Sequence, residues 1–145
     1  MRNVINTKPI AEIHRSFWLI AGIAFIWNVL GSINFVVQLN PDMIDAYRES
    51  ERAIIMNRPA WATVAFAVAV FGGAIGSVLL LLRKSIAFYL FIASLLGVIV
   101  AIMHSLSVDN FLGLGDILGI ILMPVAIAAF LVWYSKMTEN KGWIG

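Results

Sequence analysis

The chain has 145 residues and no cysteine, and only 12% of its residues are charged. Without cysteine there is no disulfide framework, no thiolate metal site and no cysteine nucleophile. An ordinary soluble domain carries about 25% charged residues, so a water-soluble globule is excluded. Catalytic signatures are missing too: the chain has no GxSxG, no HExxH, no glycine-rich phosphate loop and no paired carboxylates within an apolar stretch. A non-enzymatic protein without a cofactor is expected. The net charge is +2, and the ten Lys and Arg residues are spread thinly between apolar stretches. That distribution favours no nucleic-acid partner.

What the chain has in quantity is apolar surface: 61% hydrophobic residues and a mean hydropathy of +0.94. Crossing the hydrocarbon core takes roughly 20 mostly apolar residues, and four stretches qualify: 17–39, 59–82, 85–105 and 111–133. The first exceeds the apolar core of a cleaved signal, about 7–15 residues, and no small-residue cleavage site follows it. It is expected to remain a helix of the mature protein. Arg83-Lys84 alone separates the second and third stretches, which demands an antiparallel hairpin. The expected fold is all-α: an integral membrane four-helix bundle, up-down-up-down, forming one domain over residues 1–145. Between the first two spans, residues 41–56 carry Pro41 near a helix start, early acids, and Met43, Ile44, Tyr47, Ile54 and Ile55 in loosely helical spacing. A short amphipathic surface helix is expected there.

Basic residues near span ends set orientation. Seven (Arg2, Lys8, Arg15, Arg83, Lys84, Lys136, Lys141) fall on one side and three (Arg48, Arg52, Arg58) on the other. Both termini should face the cytoplasm. On that basis Asn28 lies near mid-depth, while Asn34, Gln38, His104 and Asp116 lie in the outer half. Two readings of these five side chains stay open. They line an outward-facing polar pocket, or they are interhelical glue, including a His104–Asp116 hydrogen bond. One histidine and one carboxylate are too few for a zinc site, so no metal is expected. Gly72, Gly73 and Gly76, with Gly115 and Gly119, form small-residue faces suited to close helix contacts, within the bundle or between subunits. Pro124 should kink the fourth span by removing a hydrogen bond to the Ile120 carbonyl.

The segment PAWATVAFAVAVFGGAIGSVLLLLRKSIAFYLFIASLLG is similar to the central hairpin of DoxX-like four-helix proteins. Unlike them, the second span carries no acidic residue. The whole chain resembles a group of small bacterial four-helix membrane proteins often labelled "sugar transporter". The resemblance rests on Trp27-Asn28-Val29-Leu30-Gly31, Pro59-Ala60-Trp61-Ala62-Thr63 and Lys141-Gly142-Trp143. It implies a bacterial inner-membrane location and a transport role, but it carries no binding residues. Three functions follow as expectations: small-solute transport, an accessory or scaffolding subunit of a larger membrane complex, and a lipid or quinone binder with a lateral opening. Besides the lipid bilayer, the expected partners are further copies of the chain or the subunits of such a complex.

Overall fold

The computed structural model describes residues 12–108 and 112–145. Arg2 and Lys8 of the basic tail, and Phe111 at the expected start of the fourth span, lie outside the described residues. The helices are α1 (Arg15–Gln38), α2 (Glu49–Met56), α3 (Ala60–Leu81), α4 (Ala87–Ser107) and α5 (Leu114–Asn140), with a short 3-10 helix, Pro41–Ala46, ahead of α2. No strand occurs among the described residues. Helices α1, α3, α4 and α5 are each long and apolar enough to cross a membrane. The chain is an all-α, multi-pass membrane bundle.

The helices pack in chain order: α3 lies between α1 and α4, and α4 lies between α3 and α5. Glycine makes the closest of these contacts. A Cβ on Gly97 of α4 would lie 2.6 Å from the Ala65 carbonyl oxygen and 2.8 Å from the Ala69 nitrogen of α3. Ser94, one turn away, donates its hydroxyl to the Ala69 carbonyl. On the other side of α3, the Asn28 amide of α1 fills the space that a side chain on Gly73 would need. Asn28 Nδ2 donates to the Ala24 carbonyl at 2.8 Å and to Ser77 Oγ at 3.3 Å, so the N–H donors of this mid-helix amide are satisfied within the bundle. Gly76 rests against the Phe91 ring.

Of the two expected glycine faces, the first therefore packs as read, though Gly72 makes only ordinary contacts. The second does not pack. Gly119 has no atom within 4 Å of a would-be Cβ, and Gly115 meets only an Arg48 nitrogen at 3.7 Å. The face that carries them turns toward a cavity and the loop above it rather than toward another span.

Two further elements differ from expectation. The stretch 41–56 is not one helix, because Tyr47 and Arg48 are extended, with ψ of 156° at both. Glu51 Oε2 accepts the Arg48 backbone N–H at 3.3 Å, starting α2 afresh. The break sends Tyr47 and Arg48 toward different spans. The expected kink at Pro124 is preceded by a π-helical stretch, Ile117–Leu122, in which the Met123 N–H reaches five residues back to the Leu118 carbonyl. A proline ring clashes with the carbonyl four residues before it in a regular helix. A wider turn relieves that clash and is a common cause of bending.

α5 also runs past Trp133 to Asn140, because its last turns have surfaces to pack on. A left-handed Gly142 (φ 73°) lets Trp143 N–H bond the Thr138 carbonyl and Gly142 N–H the Glu139 carbonyl, a Schellman ending. The tail then folds back onto the α3–α4 turn: Gly145 N–H donates to the Arg83 carbonyl, and Ser85 N–H to the Gly145 carbonyl. Phe17, Leu80, Phe91, Leu131, Tyr134 and Ile144 form a buried plug at this terminal end.

Replacing Gly97 with Ala should cost about 1–3 kcal/mol, the usual cost of overpacking a close contact, read as earlier thermal unfolding in detergent micelles. Gly119→Ala, in open space, should leave unfolding unchanged or slightly later. Equal unfolding of wild type and Gly97→Ala would contradict the close α3–α4 approach.

Candidate binding cavity

At the end opposite the plug, residues 40–58 form a lid tied to every span. Tyr47 Oη donates to Asn34 Oδ1 of α1 at 2.7 Å. Arg58 Nη2 donates to Gln38 Oε1 of α1 at 2.7 Å, and its guanidinium stacks 4.9 Å over the Phe66 ring of α3. His104 of α4 is buried, with Nε2 3.1 Å from the Ile54 carbonyl oxygen. A carbonyl only accepts, so the ring proton sits on Nε2. The imidazole also meets the Trp61 ring edge-on. The lid reaches α5 through Arg48, whose Nη2 lies 2.8 Å from Asp116 Oδ1.

That ion pair is asymmetric. Arg48 is more than half exposed, whereas Asp116 is 6% exposed. Asp116 Oδ2 also accepts the Gly113 N–H at 3.1 Å, capping the start of α5. Glu51 is the second acid on Arg48, at 3.3 Å. The Glu51 hydrogen bond, then the charges of Glu51 and Asp116, hold the Arg48 guanidinium above its ordinary pKa. Arg58 is shifted the other way, because burial pulls it below the ordinary value.

Beneath the lid lies a cavity of about 480 Å³, within the roughly 300–1,000 Å³ of small-molecule sites. Its walls along the spans are mainly apolar, formed by Leu30, Phe66, Val98, Ile120 and Ile127, while its lid end carries Asn34, Gln38, Tyr47, Arg48, Glu51, Arg58 and His104. Asn28 and Ser94 also line it, both with hydrogen-bond partners. The side wall is incomplete. α1 and α5 touch at the terminal end, where Phe17 stacks on Tyr134 with centroids 6.5 Å apart. Farther along they part around a second, smaller cleft of about 210 Å³, lined by Ile20, Ile23, Trp27, Ile127 and Phe130. Trp27, Ile127 and Leu131 border both spaces. Those three side chains stand between the cleft and the cavity.

Four of the five sequence-selected residues (Asn28, Asn34, Gln38 and His104) line this one cavity. Asp116 stands behind Arg48 at its rim. The His104–Asp116 hydrogen bond considered from the sequence does not form: the imidazole takes Ile54 and the carboxylate takes Arg48 and Gly113. Sequence reasoning missed Tyr47, Arg48, Glu51 and Arg58. A signal for them was present. Asp116 sits in a span, the four apolar stretches contain no Lys or Arg, and every basic residue assigned to its side lies within 48–58. A carboxylate at membrane depth needs a cation, so the loop had to supply it.

No family model, curated protein or solved structure matches this chain. The site's chemistry rests on its geometry.

Substituting Asp116→Asn removes the charge that anchors the lid to α5 while keeping its size. Amide hydrogen exchange should quicken across residues 48–56 and at the start of α5, with α3 and α4 unchanged. Uniform exchange in wild type and variant would mean that Arg48 does not latch the lid.

Proposed function

We propose that this protein binds an amphiphilic, lipid-like molecule in the membrane, admitting its apolar part between α1 and α5 and holding its polar end beneath the lid. The cavity carries this reading: mainly apolar along the spans, charged at the lid, and separated from the apolar α1–α5 cleft by Trp27, Ile127 and Leu131 alone among the residues lining both. A water-soluble solute would gain little from such walls, whereas an acyl or isoprenoid chain buries apolar surface there. The chain's seven-to-three division of basic residues supports cytoplasmic termini and an outward-facing lid, and the resemblance to small bacterial membrane proteins implies the inner membrane. Binding without catalysis suits the absence of a catalytic motif.

Small-solute transport has weaker support. A route inward from the cavity meets the buried plug of Phe17, Leu80, Phe91, Leu131 and Tyr134, and the buried hydroxyls of Ser77, Ser135 and Thr138 are spent on carbonyls of their own helices. An accessory role built on small-residue faces is also less favoured, because Gly73, Gly76 and Gly97 are occupied by contacts within the bundle.

Native mass spectrometry of the protein, gently extracted from its own membranes, tests the proposal. Wild type should retain an amphiphile. Gly119→Phe, which places a ring in the open cavity, should lose it while unfolding at a similar temperature. A wild type that retains nothing, and takes up no added single-chain lipid, would sink the reading.

A further inference from the structure

Resting on that amphiphile-binding reading, we infer that the bound molecule carries an anionic head, a phosphate or carboxylate, seated on the Arg58 guanidinium.

Among the described residues, the charged or titratable side chains facing the cavity are Tyr47, Arg48, Glu51 and Arg58 from the lid and His104 from α4; α1, α3 and α5 contribute none, and the Tyr47 phenol is neutral and donates to Asn34. These groups are not equally engaged. Arg48 already meets two carboxylates, Glu51 and Asp116. Glu51 is held by the Arg48 side chain and backbone N–H. His104 is turned to the Ile54 carbonyl. Of the two cavity arginines, only Arg58 has no carboxylate within ion-pair distance among the described residues. Its partners are the neutral Gln38 amide oxygen and the Phe66 face.

An arginine stays protonated under all ordinary conditions and offers five N–H donors in a planar fork. A partly desolvated guanidinium with only neutral neighbours leaves much of that capacity for an anion. Gln38 on one side and Phe66 on the other hold the side chain in place, so little rotamer freedom remains to be lost on binding. The fork matches the oxygen spacing of a phosphate or carboxylate. A neutral head would leave the charge unmatched, and a cationic one would face two arginines.

The test uses the full-length protein in detergent and single-chain lipids of one acyl length bearing phosphate, carboxylate, phosphocholine or glycerol heads, with inorganic phosphate alone as a further probe. Wild type should bind the phosphate and carboxylate lipids at least about tenfold tighter than the other two, the scale of one charge-assisted hydrogen bond. Arg58→Gln should abolish that preference but still bind lipid, and Arg58→Lys should keep part of it. Arg52→Gln, which removes a lid charge that pairs with Asp45 and does not line the cavity, should retain the preference. Equal binding of all four lipids overturns the head assignment and leaves the amphiphile reading standing, whereas no lipid binding removes both. Inorganic phosphate binding as tightly as the phosphate lipid would make the site one for a free anion and overturn the inference. Loss of the preference in Arg52→Gln as well would make it a matter of the lid's net charge rather than of a seat on Arg58, and would overturn the inference.

Discussion

A carboxylate buried at the head of an apolar helix cannot stand alone, and Arg48, 2.8 Å from Asp116, is what lets this one exist. Water is absent from the bilayer core, so a polar group near it must find its partner within the protein. The apolar stretches 17–39, 59–82, 85–105 and 111–133 contain no Lys or Arg. The loop before α3 must therefore cross the bundle to reach α5, and in crossing it brings Tyr47, Ile54 and Arg58 onto Asn34, His104 and Gln38. The lid follows from that one electrostatic demand, met at one end by α5 and at the other by α1.

The cavity follows from a second constraint, the uneven packing of the four helices. α3 and α4 are drawn together at Gly97, where backbone meets backbone, and α1 joins α3 where Asn28 fits over Gly73. α5 has no comparable contact in its first turns. Its wide turns before Pro124 and its open Gly119 belong to a wall that stands away from α1. Aromatic stacking restores closure at the other end, where Phe17 meets Tyr134 and Trp143. One end is sealed by rings and the other by hydrogen bonds and ion pairs. The space between them is charged at the lid and mainly apolar below it.

This division bears on function. Close glycine packing and a satisfied Asn28–Ser77 pair give α1, α3 and α4 a rigid frame, since each polar group there is already matched. The less engaged chemistry gathers under the lid, where Arg58 is held but not neutralised. A molecule with an apolar chain and a charged head complements both halves of that space.

Much of the fold was legible in the residue order. Unbroken apolar runs made the four helices unavoidable, and a two-residue basic turn made α3 and α4 antiparallel neighbours. Polar residues at helical spacing picked out four side chains that do share one cavity. The partners of those side chains were not legible, because hydrogen bonds between a loop and four helices depend on how the helices converge. Asn34 pairs with Tyr47, and His104 with a backbone carbonyl that no side-chain pattern announces. The same holds for the two glycine motifs: equal in sequence, they differ because one faces a helix and the other a void. Composition and hydrophobic periodicity by themselves determined that this is a four-span membrane bundle, since those properties are local and additive along the chain. Only the tertiary structure decided where the cavity opens and which charge within it stands without a carboxylate, because both depend on distances between residues far apart in sequence.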